Sequence, residues 1–543
     1  MGSRRFRLTK TAKILILIIV LCVLGGGVFA AFKTGLVKNE PKKTNKETVV
    51  TDSMANSTTN DTKDTEKKNE SVSTTPTEAN NTINLSIDEW VGYATIIQAN
   101  GGLTTQPGSI YDKLGIKVNV NIINDPTQSS NALIKGELDA AGYTINRLAF
   151  LSNKFSTGNT RVVMPFITNY SNGGDGIIAL SSIKTIEDLV DAKIGVPQFG
   201  ESHAMIVWFV NQSNLSQEDK DKIIDNLILF DTAHDTANAF FAGQIDVAGT
   251  WQPYLLQAEN MTDSHILFST ASSTKLILSG IIFREDFATQ NSELVSKFID
   301  GTLQAIDSYD KELEVLRNSM PMFEGMEDED IVGMTLDADL ATWQNNMDLF
   351  EEDAKIVYNS MCDVWTSIGE SVDINLVNTL FDPSYMYALK DKYEESIINN
   401  TEEVENKVSV TEDNKQQIME TTALLTKSAS VNFIINTAKF TDTAEASTTL
   451  NEFIEVAKLL DGTIIQIEGN TDPNPNTDPT DEANIMLSKQ RAETVKQYFI
   501  MNGISADRII VVGNGSSKPI VENDTEEHRA MNRRTDVSFK CIE

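Results

Sequence analysis

The pattern of hydrophobic and polar positions divides the chain into four stretches. The first is an uninterrupted uncharged run from Ile14 to Phe32, which follows a basic segment at residues 1–13. A helix of about 20 apolar residues crosses a bilayer, so this run predicts a single transmembrane helix at residues 14–32. The basic flank predicts a cytoplasmic amino terminus and an exported remainder. A cleavable signal peptide is the alternative, with a cleavage site after Ala30, but the length of the run favours a retained helix.

The second stretch is residues 33–82, and from about Glu40 to Asn81 it consists mainly of Thr, Asn, Ser, Lys and Glu with almost no large apolar residue. Such a segment cannot bury enough surface to offset the entropy of ordering. We expect it to be a disordered tether between the membrane helix and the next domain.

In the third stretch, residues 83–398, short β-rich runs alternate with helical patterns, and the part beyond Ser292 is mainly helical. This alternation predicts an α/β fold with open sheets. The strand candidates are Ile83–Ile87, Lys117–Ile123, Ala140–Tyr143, Arg161–Ile167, Gly176–Leu180, Lys193–Val196, Ile245–Thr250 and Leu276–Phe283. The helix candidates include Ser129–Lys135, Ile186–Ala192, Met205–Gln212 and Thr236–Ala242.

An internal repeat lies within this third stretch. The pattern N-A-x-x-x-G-x-x-D-x-A-G occurs at residues 131–142 and again at residues 238–249. Each copy predicts a helix, a glycine turn and a strand that ends at the carboxyl edge of a sheet, where ligands bind in such folds. Two copies indicate two similar lobes. The residues after each copy, Thr144 in one and Thr250-Trp251 in the other, are therefore placed at a cleft.

Four longer motifs give this region a family resemblance. They are W-x-G-Y at 90–93, A-L-x-x-G-x-x-D at 132–139, I-x-x-x-x-D-L-x-x-A-K-I-G-V at 183–196 and A-F-x-x-G-Q-x-D-x-x-x-T-W-x-P at 239–253. The region resembles the substrate-binding proteins of nitrate/sulfonate/taurine-type ABC importers, which have the type II periplasmic-binding-protein fold. The resemblance implies a bilobal domain with a hinge. Lobe one would comprise residues 83–165 plus 272–398, and lobe two residues 166–271.

Two predicted helix starts are candidate anion sites in the cleft, because exposed N–H groups and hydroxyls meet there. One is the run from Gly200 through Glu201 and Ser202 to His203, and the other includes Ser129. Simple N-capping is the alternative for both. Glu201 would oppose a purely anionic solute but could meet an amine such as that of taurine, which keeps zwitterions among the candidates. Trp90 and Trp251 would form apolar walls of the cleft, and the alternative is that they are ordinary core aromatics. The candidate solute-binding residues are Trp90, Ser129, Thr144, Glu201, Ser202, His203, Thr250 and Trp251.

The fourth stretch consists of a polar connector at 399–424 and a terminal domain at 425–543. The apolar runs of this domain predict strands and helices in alternation. The strand candidates are Val431–Ile435, Thr463–Glu468, Arg508–Val512 and Thr535–Lys540, and the helix candidates are Ala444–Leu460 and Asn484–Asn502.

The terminal domain carries a carboxylate, Asp472, after one strand and a guanidinium, Arg491, in the next helix. A zwitterionic amino-acid group needs such a pair, because the carboxylate binds its ammonium and the planar arginine binds its carboxylate. The motifs T-D at 471–472, N-x-x-L-S-x-x-R-A-x-x-V at 484–495 and N-R-R at 532–534 resemble those of the OmpA-like peptidoglycan-binding domain.

The resemblance implies a βαβαβ sandwich that binds the diaminopimelate of a peptidoglycan stem peptide, with Thr471, Asp472, Asn484 and Arg491 in the site. Asn470 departs from the family pattern, and the loop after Asp472 is long and contains three prolines. The sequence therefore leaves open whether the stem peptide is of the diaminopimelate type or of the lysine type. Arg533 and Arg534 could bind the ligand or pair with carboxylates inside the domain.

A formal net charge of −33 argues against nucleic acid as a partner, because an acidic surface repels phosphates. The sequence has no nucleophile–base–acid constellation and no metal-ligand spacing, so we expect neither an enzyme nor a cofactor. The sequence predicts a single-pass, wall-associated membrane protein that binds peptidoglycan and a small anionic or zwitterionic solute, with an ABC permease as a candidate partner or with a sensing role. The alternative is a structural link between membrane and wall, whose central domain binds a partner protein.

Overall fold

The computed structural model describes residues 81–308, 313–397, 408–429, 431, 433–434, 436–472 and 481–542. The expected transmembrane helix at 14–32 and nearly all of the expected tether lie outside the described residues. Within the described part of the chain, every helix is too short or too polar to cross a bilayer.

The described strands, in chain order, are β1 (Thr82–Ile87), β2 (Lys117–Ile122), β3 (Ala140–Thr144), β4 (Val162–Ser171), β5 (Asp175–Leu180), β6 (Ile194–Pro197), β7 (Ile228–Phe230), β8 (Val247–Trp251), β9 (Ser264–Ser269), β10 (Leu278–Arg284), β11 (Ala338–Leu340), β12 (Leu425–Ala429), β13 (Ile464–Gly469), β14 (Ile509–Gly513) and β15 (Thr535–Lys540).

The described α-helices are α1 (Ala94–Asn100), α2 (Ile110–Lys113), α3 (Pro126–Lys135), α4 (Ile145–Thr157), α5 (Glu201–Gln212), α6 (Gln217–Asp225), α7 (Ala233–Phe241), α8 (Tyr254–Glu259), α9 (Glu285–Gln290), α10 (Ser292–Ala305), α11 (Leu313–Ser319), α12 (Asp328–Leu336), α13 (Trp343–Asp348), α14 (Ala354–Ser367), α15 (Val377–Leu380), α16 (Ser384–Tyr387), α17 (Lys390–Ile397), α18 (Lys415–Glu420), α19 (Thr443–Leu459), α20 (Glu482–Met501) and α21 (Glu526–Asn532).

Two mixed sheets form the central region. The first has the order β11-β4-β10-β3-β1-β2, in which β1 runs parallel to β2 and β3 while β10 is antiparallel to β3 and β4. The second has the order β7-β6-β8-β5-β9. Strands β3, β4 and β5 are buried almost throughout, which is typical of sheets covered by helices on both faces. The fold is mixed α/β, as the sequence predicts.

The chain crosses between the two sheets twice. Strand β4 stays in the first sheet through Ser171, so the first crossover lies at residues 172–174 and not at residue 165, where the family resemblance placed the lobe boundary. The return crossover lies between β9 and β10, at residues 270–277. The predicted helix at 186–192 is instead a short 3-10 helix at Glu187–Asp191.

The terminal domain is a four-stranded sheet of order β12-β15-β13-β14. The strand predicted at Val431–Ile435 is wrong, since Phe433 forms only an isolated bridge with Phe440 and the edge strand is β12 at Leu425–Ala429. In β12, Leu425 pairs with Phe539 of β15, so the strand is held by its partner and not by a long apolar run of its own. Residues 432 and 435 of the predicted strand lie outside the described part of the chain.

Close packing sets the distance between β13, β14 and helix α20. A Cβ added to Gly469 would stand 2.0 Å from the Ser488 carbonyl oxygen, and one added to Gly513 would stand 2.5 Å from that of Ile485. Glycine at both strand ends therefore lets α20 lie directly on the sheet. This approach places Arg491, one turn beyond Ser488, close to the end of β13.

Candidate functional site

A charged contact closes the cleft between the two lobes. Arg147 in the first turn of α4 donates from Nη2 to Glu201 Oε2 at 3.0 Å. Thr144, the N-cap of α4, donates from Oγ1 to Glu201 Oε1 at 3.0 Å. Thr144 and Arg147 follow β3 of the first sheet, whereas Glu201 begins α5 beside the second. The structure thus brings Thr144 and Glu201 together, although the sequence assigned them from separate motifs.

Sequence reasoning missed Arg147. Its position three residues after a capping threonine gives no charge signal of its own, since an arginine in a first helical turn is usually solvated. Its side chain is only 18% exposed here. Glu201 itself lies in the first turn of α5, which was predicted as an anion site, and the positive end of the helix favours its carboxylate.

A small polar cavity of about 10 Å³ lies beside this ion pair, between the carboxyl ends of β1, β2 and β3. Three of its lining side chains have an atom without a hydrogen-bond partner: Ser86 Oγ, Asp88 Oδ1 and Arg147 Nε. This volume accommodates about one water molecule, and no solute. The first lobe therefore has unused polar atoms beside the ion pair, in a cavity too small for a solute.

Carboxylates outnumber the cation around the cleft. Burial, and then repulsion from Glu201, raises the pKa of Asp175 to about 7, although Ser171 and Arg147 oppose the shift. Burial raises the pKa of Asp88 to about 6, although Arg147 opposes the shift. Burial also disfavours the charge of Arg147, but Glu201 and Asp88 outweigh it and raise the pKa of that guanidinium. This arrangement suits a group that brings a positive charge. Among the described residues, no group of three or more His, Cys, Asp or Glu side chains could hold a metal ion.

Two more of the predicted solute-binding residues lie in the first lobe. Ser129 lines the small cavity, and its Oγ lies 2.6 Å from Tyr143 Oη. Trp90 donates from Nε1 to Asn169 Oδ1 at 2.8 Å and is half-buried beside Gly174 of the first crossover. Both therefore have partners within the lobe or the hinge.

Three of the four remaining predicted solute-binding residues, all in the second lobe, are held by contacts within the protein. His203 accepts a hydrogen bond on Nδ1 from Phe199 N at 3.1 Å and packs edge-on against Trp365, and burial lowers its pKa to about 4. Ser202 packs against Gly249, where an added Cβ would come within 2.8 Å of the serine Cβ. The two that follow the second repeat differ in exposure. Thr250 is buried and donates to Ala233 O at 3.2 Å, whereas Trp251 is 39% exposed at the end of β8.

The terminal domain brings two guanidinium groups and one carboxylate together. Arg491 is 7% exposed, donates from Nε to Thr437 O at 3.1 Å, and lies with Cζ 5.1 Å from the centre of the Phe433 ring. Arg533 Nη1 lies 3.5 Å from Asp472 Oδ2. Burial and then Arg533 lower the pKa of Arg491, while Asp472 raises it. The three side chains therefore form one electrostatic group.

Two other residues that the sequence placed in this site lie at its ends. Thr471 is buried, and its Oγ1 has no hydrogen-bond partner. Asn484 lies in the first turn of α20 and donates to Asp481 Oδ2 at 3.2 Å. The proline-bearing loop between Asp472 and α20, at residues 473–480, lies outside the described part of the chain.

The structure separates the roles of the two arginines of the N-R-R motif. Arg534 is buried and forms an ion pair with Asp536, with Nη2 and Oδ2 2.9 Å apart. Asn470, where the sequence departs from the family pattern, donates to the same Asp536 carboxylate at 2.9 Å. Arg534 and Asn470 thus support the strand ends, whereas Arg533 faces Asp472 and Glu526.

Comparisons with known proteins match the two folded regions separately. The model of the OmpA family matches residues 432–533, and that of the NMT1/THI5 like family matches residues 109–311. The chain therefore contains an OmpA-family domain at its carboxyl end and an NMT1/THI5-like domain in its centre. The resemblances recognised in the sequence are confirmed at this level.

The terminal domain is similar to parts of several curated proteins. It is 37% identical over 97 residues to the outer membrane porin F of Pseudomonas fluorescens, which covers 17% of this chain and 28% of that protein. It is 40% identical over 88 residues to the peptidoglycan-binding protein ArfA of Mycobacterium tuberculosis, which covers 16% of this chain and 26% of that protein. The chain thus spans less than a third of the length of these two relatives.

Among solved structures, the central region aligns with the periplasmic aliphatic sulphonate binding protein SsuA from Escherichia coli. The alignment has a TM-score of 0.42 and 14% identity, and covers 55% of this chain and 99% of SsuA.

Proposed function

We propose that the terminal domain binds the stem peptide of peptidoglycan. The observation that carries this proposal is the buried guanidinium of Arg491, which lies in one electrostatic group with Arg533 and Asp472 beside the unpartnered hydroxyl of Thr471. A diaminopimelate side chain ends in an ammonium and a carboxylate on one carbon. Asp472 would bind the ammonium, and Arg491 with Arg533 would bind the carboxylate. The 40% identity to the peptidoglycan-binding protein ArfA supports the same assignment.

Retention on isolated sacculi tests this site. The full chain should be retained, and Asp472→Ala or Arg491→Ala should abolish retention. Arg161→Ala is the matched control, since Arg161 lies in the central domain and its side chain is 83% exposed. If the Asp472 and Arg491 variants are folded and bind like the wild type, the assigned site is wrong. Competition by diaminopimelate-type and lysine-type muropeptides would show which stem peptide the domain accepts.

For the central domain, we propose a small zwitterionic or amine-bearing solute held in the cleft between the lobes. A pure anion such as nitrate would meet Asp88, Asp175 and Glu201, which share one cation, Arg147. An amine would relieve the repulsion among these carboxylates, while an acidic group of the solute could take the place of Glu201 on Arg147. The cleft has to open before such a solute can enter.

A thermal-shift series with taurine, short amines, amino acids, alkanesulfonates, nitrate and phosphate tests this proposal. A true ligand at about 100 times its dissociation constant adds about 2.7 kcal/mol to stability, which is readily measured. Stabilisation by taurine or amines, lost in Glu201→Gln, supports the proposal. Stabilisation by nitrate or phosphate alone, or by none of the compounds, contradicts it. Mass spectrometry of the purified protein would identify a retained compound.

A specific observation favours a second function for the central domain. The cleft is already closed by the Arg147–Glu201 pair, and the cavity beside it holds about one water molecule. Such a domain needs no solute to stay closed, so it could serve as a structural link whose partner is another protein. Absence of any retained compound or thermal shift would select this alternative.

Whichever central function applies, we propose the same placement in the cell envelope. The apolar run at 14–32 would anchor the chain in the cell membrane with a cytoplasmic amino terminus, and the terminal domain would hold the wall. A solute-binding central domain would then deliver to an ABC permease or report occupancy. Fractionation and protease accessibility of intact cells test the anchoring, since a cleaved and released chain would be found outside the membrane fraction.

A further inference from the structure

The terminal domain docks on the second crossover between the lobes. Asp461 accepts from Thr274 N at 2.9 Å on Oδ1 and from Thr274 Oγ1 at 2.7 Å on Oδ2. Gly462 N donates to Ser272 O at 3.1 Å, and Ser273 Oγ donates to Leu459 O. We call residues 459–462, which join α19 to β13, the docking turn.

The approach at the docking turn is too close for a side chain. A Cβ on Gly462 would come within 2.9 Å of Ser272 Cα and 3.0 Å of Ala271 O. The partners are backbone atoms, which cannot rotate away. The turn and the crossover therefore fit each other at the level of their main chains.

The docked crossover is one half of the hinge. Thr270 Oγ1 lies 2.8 Å from Ser171 Oγ and accepts from Gly173 N at 2.9 Å, which ties the return crossover to the first one. Opening a bilobal domain changes the backbone angles of just such crossover residues. A docking turn bound to Ser272, Ser273 and Thr274 restrains that change.

The terminal domain also holds each lobe directly. On the second lobe, Ser428 N donates to Asn214 Oδ1 at 3.0 Å, and Lys427 Nζ donates to Gln212 Oε1 at 2.7 Å. On the other side, Lys458 Nζ lies 2.7 Å from Glu352 Oε2, just before helix α14, which packs on α4 of the first lobe and on α5 of the second. A rotation of one lobe against the other therefore strains the contacts of the terminal domain.

Helix α5 connects the cleft to this interface. Its first residue is Glu201, which pairs with Arg147, and its last is Gln212, which contacts Lys427. A helix of 12 residues is about 18 Å long and moves as a rigid element. Movement of Glu201 away from Arg147 therefore displaces Gln212 and Asn214 from their partners in the terminal domain.

We propose that the terminal domain is a clamp on the hinge: its docked position stabilises the closed cleft, and opening of the cleft requires undocking. Because coupling between two sites is reciprocal, anything that opens the cleft also loosens the terminal domain. Tension or binding that pulls the wall-bound domain away would in the same way favour the open cleft. The clamp does not require a solute, so it can be tested independently of the proposed ligand.

Hydrogen–deuterium exchange of the full chain in detergent micelles tests the clamp in both directions. The interface variant Thr274→Val/Lys427→Met/Asn214→Ala should speed exchange at least tenfold in the first turns of α4 and α5, which flank the cleft. The cleft variant Arg147→Met should speed exchange in residues 425–429 and 459–463. Gln497→Ala, an exposed change on α20 of the same domain, is the control and should leave both regions as in the wild type.

Two outcomes would overturn the clamp. One is an interface variant whose exchange rises only at the interface while the cleft stays protected. The other is a cleft variant that leaves residues 425–429 and 459–463 unchanged. Protection of β13 and β15 in each variant shows that the terminal domain is still folded, so that a rise caused by unfolding is recognised as such.

Discussion

The carboxylate of Glu201 lies at 3.0 Å from the guanidinium of Arg147 and joins the two lobes across the cleft. The side chains are only 10% and 18% exposed, so the pair is largely removed from water. The cation of the cleft is thus already paired with an anion of the protein itself, so the proposed solute would have to compete with Glu201 for Arg147.

Because Arg147 and Glu201 form a largely buried ion pair, replacing them should have large and non-additive effects on the free energy of unfolding. Arg147→Met leaves Glu201, Asp88 and Asp175 without their shared cation and should lower the free energy of unfolding by about 2–4 kcal/mol, since some water still reaches the pair. Arg147→Met/Glu201→Met should cost less than the sum of the two single changes. Urea denaturation of the four proteins measures this. Strictly additive losses would show that the two side chains do not interact.

The raised pKa of Asp175 predicts that the protein loses stability as the pH rises. Its folded-state pKa is about 7, raised by burial first, so the folded protein keeps a proton that the unfolded chain releases near its ordinary pKa of about 4. The stabilisation is complete below about pH 4 and is lost as the pH rises to 7. Asp88, with a pKa of about 6, acts in the same direction.

Asp175→Asn should therefore flatten the pH profile of the free energy of unfolding. At pH 8 this variant should be more stable than the wild type by about 2–4 kcal/mol. Asp191→Asn is the control, because the Asp191 side chain is 89% exposed. Unfolding in urea at pH 5 and pH 8 compares the three proteins, and an unchanged slope in Asp175→Asn would refute the assignment.

Replacing Arg534 and replacing Arg533, two neighbouring arginines of the terminal domain, should have different effects: the first change lowers stability, and the second weakens binding. Arg534→Ala leaves the buried Asp536 without its ion-pair partner and should lower the free energy of unfolding by about 3–5 kcal/mol. Arg533→Ala, at a side chain 34% exposed, should change stability by less than about 1 kcal/mol but weaken retention on sacculi at least tenfold. Thermal melts and sacculus binding separate the two. The reverse pattern would exchange their roles.

Gly469 predicts that the position of Arg491 depends on close backbone packing. In Gly469→Ala the new methyl group would stand 2.0 Å from the Ser488 carbonyl oxygen, so α20 has to shift away from β13. The expected loss of stability is about 3 kcal/mol, as for other overpacked sites, together with weaker binding to sacculi. Denaturation and sacculus binding measure the two effects. A variant with wild-type values for both would mean that the helix is not held at this distance.

Local signals in the sequence determined much of the fold. Apolar runs and glycine turns placed most strands of the two central sheets, because a buried strand needs apolar residues whatever its neighbours are. They failed at β12, whose Leu425–Ala429 segment is a strand only because β15 pairs with it. The family resemblance, in turn, ended the first lobe at residue 165, whereas sheet pairing shows that β4 continues to Ser171.

The sequence by itself also predicted the candidate residues at the carboxyl end, because Thr471, Asp472, Asn484 and Arg491 stand in a spaced motif. Only the tertiary structure decided that Arg533 joins them while Arg534 is buried with Asp536, since adjacent residues face opposite ways. The same holds for the cleft. Arg147 has no motif, and its contact with Glu201 depends on two lobes meeting, as the contact of Asp461 with Thr274 depends on two domains docking. Distant contacts of this kind leave no periodicity in a single sequence.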